Sequence, residues 1–159
     1  VLMGHKIVFS DKVRRALAKV VTVSEGLTFV LEELEHEFGY DSTYKRLHRT
    51  LHQFMDQGEL TRQSHDGYKL TEKGVIRLLP MIKPVLARDG RVRVLVFDVP
   101  ENRKLCRDRF RRHIKILGFT LHQKSVWVSR YDCEKWLLKV ADYHQIKDCV
   151  SLYVGEHVW

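Results

Sequence analysis

The sequence contains no apolar run near the ~18 residues that a membrane-spanning helix requires, so we expect no membrane association. Cysteine is also scarce: the chain has three, Cys106, Cys133 and Cys149, and no CxxC pair. An odd number of cysteines without such a pair argues against a disulfide framework and against a zinc knuckle. We therefore expect a protein of the reducing cytoplasm.

Acidic residues are fewer than basic residues. The 159 residues include 20 Asp and Glu against 28 Lys and Arg, which gives a formal net charge of +8. A surplus of this size favours polyanionic partners, and nucleic acid first among them. Because many basic proteins bind no nucleic acid, the surplus needs support from local sequence patterns. With 44% hydrophobic residues, the chain has the composition of one ordinary domain or two small ones.

Residues 80–90 divide the chain into two parts. They include Pro80 and Pro84, which end helices, and the turn pair Asp89-Gly90. We interpret this stretch as a linker between an N-terminal domain, residues 11–79, and a C-terminal domain, residues 91–159. Both halves mix helical and strand patterns, which predicts the α+β class.

The N-terminal half begins with helical periodicity. Apolar residues recur at helical spacing over residues 11–21, 27–38 and 44–55. Gly39 is expected to end the second helix, since glycine favours the position after a helix. Asp41 or Ser42 is expected to cap the third helix, whose buried side is predicted to include Tyr44.

A hairpin and a last helix follow. Asp66-Gly67 lies between two short runs of strand-forming residues, and this pair is typical of a two-residue turn with positive φ at both positions. Thr71 is then expected to cap a helix that runs to Leu79.

The order of these elements resembles a winged helix-turn-helix. The resemblance covers roughly residues 11–79 and is most specific at residues 56–60 and 67–74, which in that family close the recognition helix, build the wing and start the next helix. It implies that the helix at 44–55 binds double-stranded DNA.

The C-terminal half has the order β-α-β-β-α-β. The predicted strands are residues 91–97, 119–122, 126–129 and 150–154, and the predicted helices are residues 102–117 and a second helix capped by Asp132. This order is the ferredoxin-like pattern. We expect Trp127, Trp136 and Tyr153 to lie in its core and in a dimer interface, with the edge strand after Val150 available for pairing.

Three motifs give this half a more specific resemblance, namely residues 96–101, 117–119 and 123–129. Over residues 91–155 the sequence resembles the PaaX family of repressors and the CRISPR-associated endonuclease of the Cas-two type, a small ferredoxin-like homodimer. A winged helix ahead of such a domain is the PaaX arrangement, and the CRISPR subunit normally lacks it. PaaX repressors carry a further C-terminal region thought to serve the effector response. Since the sequence stops at Trp159, we do not expect a small-molecule effector.

Residues on the predicted recognition helix suit DNA contact. Its polar side carries Lys45, Arg46, His48, Arg49 and His52. Arginine can pair two donors with guanine, whereas lysine suits a phosphate. The alternative is an ordinary solvated helix face. His48 and His52 are spaced to share a metal ion, but further ligands are lacking nearby, which favours exposed polar histidines.

Two further groups of basic residues are candidates for contact with nucleic acid. On the wing, Arg62 and Lys69 are expected to reach a phosphate or the minor groove. The helix from 103 to 115 carries seven basic residues: Arg103, Lys104, Arg107, Arg109, Arg111, Arg112 and Lys115. This density suits a second nucleic-acid surface, to which we assign Arg103, Lys104, Arg107 and Arg111. The alternative is a solvated face with Asp108 and Glu101 as partners.

Asp98 ends the first strand of the C-terminal half. In the CRISPR endonuclease family, the aspartate at this place binds a catalytic Mg²⁺ at the dimer axis, one from each subunit. The alternative is a structural aspartate that accepts backbone hydrogen bonds in the turn before Pro100. We favour the structural interpretation, because no constellation of His or Glu suggests a general base.

Three functions follow, in order of preference. The first is a PaaX-like transcriptional repressor that binds double-stranded DNA as a homodimer and needs no cofactor to do so. The second is a Mg²⁺-dependent endonuclease or spacer-adaptation subunit that uses Asp98, and whether the protein is an enzyme stays open. The third is a DNA-binding scaffold whose basic helix recruits a second nucleic acid or an acidic protein.

Overall fold

The computed structural model describes residues 9–24, 27–38 and 44–158. It divides into two compact units, the first ending at Ile82 and the second beginning at Lys83. Both units mix helices and strands, so the predicted α+β class is confirmed. Within these residues, no helix combines the length and the apolar character that crossing a membrane requires. The predicted helix end at Gly39 and the predicted cap at Asp41 or Ser42 lie outside the described residues.

The first unit contains four helices and three strands among the described residues. In chain order they are α1 (Phe9–Val23), β1 (Thr28–Val30), α2 (Leu31–Phe38), α3 (Tyr44–Asp56), β2 (Leu60–Arg62), β3 (Gly67–Leu70) and α4 (Glu72–Leu78), followed by a 3₁₀ turn over Leu79–Met81. The strands form one antiparallel sheet in the order β1-β3-β2.

Strand β1 corrects the prediction of one helix over residues 27–38. Leu27 has a positive φ of 58°, which interrupts helical geometry. The helix begins only at Leu31, where the Glu33 carboxylate accepts a hydrogen bond from the Val30 N–H at 2.8 Å. Pairing of Phe29 with Tyr68 across the sheet therefore prevails over the local helical periodicity.

The hairpin between β2 and β3 also differs from the prediction. Gly67 is the first residue of β3, and neither it nor Asp66 has a positive φ. The loop is longer than a two-residue turn and is closed by a hydrogen bond from the Gln63 N–H to the Gly67 carbonyl at 2.9 Å. The predicted cap at Thr71 is confirmed, because its hydroxyl oxygen accepts a hydrogen bond from the Gly74 N–H at 3.1 Å.

The core of the first unit lies between its helices and one face of the sheet. Its fully buried side chains include Leu17, Leu34, Leu47, Leu51, Tyr68 and Leu78. Tyr44 was predicted to be buried but is 57% exposed, and Thr50 lies on the buried face of α3 instead.

The second unit continues the chain with six strands and two α-helices among the described residues. They are β4 (Val85–Leu86), β5 (Val92–Phe97), α5 (Lys104–Ile116), β6 (Thr120–Gln123), β7 (Val126–Ser129), β8 (Tyr131–Asp132), α6 (Glu134–Tyr143) and β9 (Val150–Gly155). Four strands form an antiparallel sheet in the order β6-β7-β5-β9, and β4 pairs with β8 in a separate ribbon.

Two details differ from the sequence expectations. Val85 and Leu86, within the stretch predicted as a linker, form strand β4 and pair with Asp132 and Tyr131. Asp132 therefore belongs to β8 and does not cap α6. The helix begins at Glu134, whose carboxylate accepts the Cys133 N–H at 3.0 Å.

Helices α5 and α6 cover one face of the four-stranded sheet. Phe97 of β5 contacts Phe110 of α5 at a ring distance of 5.0 Å and Trp127 of β7 at 6.4 Å. Trp136 of α6 is also buried, so the expected core positions of both tryptophans are confirmed. Tyr153 is 61% exposed and does not belong to the core of the chain.

Candidate nucleic-acid interface

Helix α3 has one buried face and one exposed basic face. Its buried residues are Leu47, Thr50, Leu51 and Phe54. On the opposite side Lys45, Arg49 and His52 are exposed. Their spacing of four and then three residues places them in one row about 10 Å long. This row, which we call the α3 row, can face a groove of DNA while the opposite face stays in the core.

The other two predicted contact residues of α3 have ring contacts within the first unit, and Arg46 is also exposed. The guanidinium of Arg46 lies 4.2 Å from the ring centroid of Phe9 on α1. His48 is half-buried, and its ring lies 4.2 Å from that of Tyr44. The Arg46–Phe9 stack links α3 to α1, so Arg46 helps to position the helix that carries the α3 row.

We call residues 60–70, that is β2, its loop and β3, the wing. The Arg62 guanidinium donates hydrogen bonds to the carbonyls of His65 at 2.6 Å and Ser64 at 3.3 Å, so it shapes the wing loop. Lys69 is half-buried and lies in the central strand β3, paired on both sides. The exposed loop itself carries His65 and Asp66, whose side chains pair at 2.7 Å.

A buried ion pair at the base of the wing was not foreseen from the sequence. The Glu59 carboxylate is 4% exposed and accepts hydrogen bonds from Arg14 of α1, while Arg77 of α4 lies 3.8 Å away. The Glu59 carbonyl also accepts the Thr71 N–H at 3.1 Å. Glu59 therefore fixes the start of the wing to α1 and to α4.

The basic residues of α5, together with Arg103 just before it, fall into two groups. Arg103 donates to the carbonyls of His144 and Gln145 at 2.7 and 2.9 Å, at the end of α6. Arg107 pairs with Glu101 at 2.9 Å, and Arg111 approaches Asp108 at 3.7 Å. Three of the four residues that we assigned to a nucleic-acid surface thus have intramolecular partners, and Lys104 is the exposed exception.

A histidine pair lies where α5 meets α6. His113 Nδ1 is 3.0 Å from His144 Nε2, and the two rings are stacked. Burial, followed by the charges of His113, Arg109 and Arg103, lowers the pKa of His144 to about 4. Burial and the charge of Arg112 also lower the pKa of His113. The pair is therefore neutral near pH 7.

The start of β5 contains a second unforeseen ion-pair network. Arg93 is buried and donates to Asp89 at 2.6 and 2.8 Å and to Glu134 at 2.8 Å. Its hydrogen bond holds the pKa of Asp89 far below the usual range. The network joins the Asp89-Gly90 turn to the start of α6.

Asp98 follows β5 and is exposed. Its backbone N–H donates to the Cys149 carbonyl at 3.0 Å. No hydrogen bond to its carboxylate is found within residues 44–158, so the turn-capping bonds that we favoured are not formed there. Among the described residues, no three His, Cys, Asp or Glu side chains gather as a metal site would require. A site on Asp98 would need ligands from a second copy of the chain.

Comparison with known families finds one match. Residues 86–159 match the family model described as "PaaX protein central Cas2-like domain". The matched segment begins in β4 and contains every later element of the second unit. This match supports a PaaX-like protein. No curated protein and no solved structure matches the chain significantly.

Proposed function

We propose that the chain is a PaaX-like transcriptional repressor that binds double-stranded DNA sequence-specifically as a homodimer. The observation that carries this proposal is the α3 row: Lys45, Arg49 and His52 lie exposed on a helix whose other face is buried. The match of residues 86–159 to the PaaX central domain supports it independently.

The topology of each unit supports the proposed fold families. In the first unit, three helices, a three-stranded sheet and a hairpin after α3 are what a winged helix-turn-helix requires. In the second unit, β7 lies between β5 and β6, and β9 flanks β5 on the other side. With helices after β5 and β7, this is the arrangement of a ferredoxin-like domain.

The chemistry of the α3 row assigns a role to each residue. Arg49, at the centre of the row, has the planar fork of donors that pairs with guanine O6 and N7 in the major groove. Lys45 lies at the start of the helix and suits a phosphate oxygen. His52 offers one donor and one acceptor to a base edge or a phosphate. Arg46 and Arg62 act by shaping the surface, since both have partners within the unit.

The sheet of the second unit offers the surface for dimerisation. Its face opposite α5 and α6 presents four valines, Val94, Val96, Val126 and Val128, and Tyr153 opposite Val94 on β9. These residues are half-buried or exposed. An apolar sheet face of this kind is stabilised when a second copy covers it. A symmetric dimer then presents two copies of α3, which suits a pseudo-palindromic site with half-sites about one helical turn apart or a multiple of it.

Selection from a random duplex pool tests the proposal. Purified protein is mixed with labelled duplexes at moderate salt, with Mg²⁺ in one set of lanes and chelator in the other. We expect intact, shifted DNA in both sets and enrichment of one pseudo-palindromic sequence on reselection. Equal binding to every duplex after several rounds would contradict sequence-specific recognition.

Light scattering on the purified chain tests the dimer. We expect a mass of twice 18.8 kDa for the wild type. Val96→Glu places a charge on the outer sheet face and should give the monomer mass. Leu138→Glu is the matched control, because Leu138 is also partly exposed but lies on α6. A monomeric wild type would refute the dimer.

A Mg²⁺-dependent endonuclease is the second candidate. It is favoured by the exposed Asp98 carboxylate, which lacks a hydrogen-bond partner within residues 44–158. Carboxylate oxygens suit Mg²⁺, and a symmetric dimer supplies two of them. Shortened DNA in the Mg²⁺ lanes alone, abolished by Asp98→Asn, would establish this candidate in place of the repressor.

A further inference from the structure

The outer face of α5 combines an apolar side chain with uncommitted positive charge. Leu105 is 75% exposed, among the most exposed large apolar residues of the described chain. Lys104, Arg109 and Arg112 are exposed on the same side of the helix. With a rise of 1.5 Å per residue, these four side chains occupy about 12 Å of the helix. We call this set the α5 outer face.

The three cations of the α5 outer face differ from the neighbouring arginines in their intramolecular partners. Arg103, Arg107 and Arg111 each have a carbonyl or carboxylate partner. Within the described residues, no ion pair involves Lys104, Arg109 or Arg112. Asp108, the acidic residue of the helix, already approaches Arg111. The charge of this face is therefore available to a partner.

A cluster of aromatic rings, Tyr143, His144 and His113, lies where α5 meets the end of α6. Tyr143 is partly exposed, and its ring lies 5.2 Å from that of His144. His144 stacks in turn on His113 of α5. The charge of Arg109 helps to lower the pKa of His144, after burial and the charge of His113.

We propose that the α5 outer face docks an acidic, amphipathic segment of a partner protein. Its carboxylates pair with Lys104, Arg109 and Arg112, and one apolar side chain packs on Leu105. Clusters of arginine recognise acidic motifs in this way, and arginine and aromatic residues are enriched in protein interfaces. A duplex backbone is the poorer fit, because phosphates need cations and offer no apolar surface to Leu105.

The position of this face agrees with the proposed dimer. The residues that α5 and α6 cover, Leu95, Phe97 and Trp127, lie on the face of the sheet opposite the valines. A dimer formed through the valine face leaves α5 on the outside of both copies. Each dimer then offers two docking sites at once.

A defined peptide tests the proposal. The probe is a fluorescein-labelled 20-residue helical peptide with glutamates flanking leucines along one face, compared by anisotropy with the same peptide carrying glutamine in place of glutamate. A labelled 20-base-pair duplex serves as the second probe. We expect the full-length protein to bind the glutamate peptide about tenfold more tightly than the glutamine peptide, because charge complementarity adds to the apolar contact.

The variants separate the apolar contact from general electrostatic attraction. Leu105→Ala should weaken peptide binding about fivefold, since it removes buried apolar area without changing charge. Leu138→Ala is the matched control, because it truncates a partly exposed leucine on α6, and it should leave peptide binding unchanged. The triple reversal K104E/R109E/R112E should abolish peptide binding, whereas Leu105→Ala and Leu138→Ala, which keep the charge, should bind the duplex like the wild type.

Three outcomes would overturn the proposal. Absence of saturable peptide binding by the wild type, or equal binding by Leu105→Ala, would mean that the face does not recognise an amphipathic segment. A loss of duplex binding in the triple reversal, with peptide binding intact, would make the face a nucleic-acid surface. Because the duplex is measured on the same samples, failure of the docking site and failure of DNA binding are distinguished.

Discussion

The Arg14 guanidinium lies 3.1 Å from both carboxylate oxygens of Glu59, although 45 residues separate the two in sequence. Glu59 stands directly before β2 and is buried, and Arg14 lies on α1. The pair therefore joins the first helix of the unit to the base of the wing. It thereby fixes the position of the wing relative to the helices of the first unit, among them α3, which carries the α3 row.

Removing one member of this pair is expected to destabilise the first unit strongly. Arg14→Met leaves the Glu59 carboxylate buried with Arg77 at 3.8 Å as its nearest cation, and we expect a loss of about 3 kcal/mol in the free energy of unfolding. Thermal unfolding followed by circular dichroism measures it. The double variant R14M/E59Q should recover part of the loss, and a single variant as stable as the wild type would show that the pair contributes little.

Gly74 is expected to tolerate no side chain. A Cβ at this position would clash with the Glu59 carbonyl oxygen, a backbone atom that itself accepts a hydrogen bond from the Thr71 N–H. We expect Gly74→Ala to cost about 2 kcal/mol, as overpacking at a rigid contact does. Gly155→Ala is the control, because no atom lies within 4 Å of its Cβ position. Similar melting temperatures for the two variants would contradict this.

The histidine pair predicts acid sensitivity of the second unit. The pKa of His144 is lowered to about 4 in the folded protein, from 6.5 when unfolded. The unfolded chain therefore binds the proton more readily below pH 6.5. The free energy of unfolding decreases as the pH is lowered from about 6.5 to 4. We expect a loss of about 2 kcal/mol between pH 7 and 4.5.

Urea unfolding followed by tryptophan fluorescence measures this dependence. Trp127 and Trp136 are both buried in the second unit, so their emission reports its unfolding. His144→Gln removes the titrating group and should flatten the profile over the same range. A profile that stays equally steep in the variant would assign the acid sensitivity to other groups.

Arg46 and Arg49 are expected to affect DNA binding differently. Arg46 stacks on Phe9 and so helps to hold α3 against α1. Arg46→Ala should therefore weaken binding to every duplex alike, because α3 is held less firmly. Arg49 is exposed, and Arg49→Ala should relax the preference at one base position by about 1–3 kcal/mol. Reselection of binding sites with each variant distinguishes the two effects. If the consensus changed for Arg46→Ala and stayed the same for Arg49→Ala, Arg46 would be the residue that recognises a base and Arg49 would not.

Local signals in the sequence predicted much of each unit. The run at residues 126–129 was predicted as a strand and is β7 (Val126–Ser129). The cap at Thr71 was predicted from its position before a helical pattern and is formed. Such features depend on neighbours within a few residues, and one sequence suffices to recognise them.

Features that depend on distant partners were missed. Strand β1 exists because Phe29 pairs with Tyr68, about 40 residues away, and its own periodicity is helical. The partners of Arg14 and Arg93 are likewise remote. For the candidate site, the sequence predicted a helix over residues 44–55, and the structure has α3 there. The sequence did not show that Arg46 and Arg103 are occupied by contacts within their own units.

The most direct test of the central claim is equilibrium binding of the selected duplex by charge-matched variants. K45A/R49A removes two cations from the α3 row, and R109A/R112A removes two from the α5 outer face, so both lower the net charge equally. We predict that the first variant binds the selected duplex more weakly and discriminates it from a scrambled one less than the wild type does, whereas the second keeps the wild-type preference. Full discrimination by K45A/R49A would contradict DNA recognition by α3.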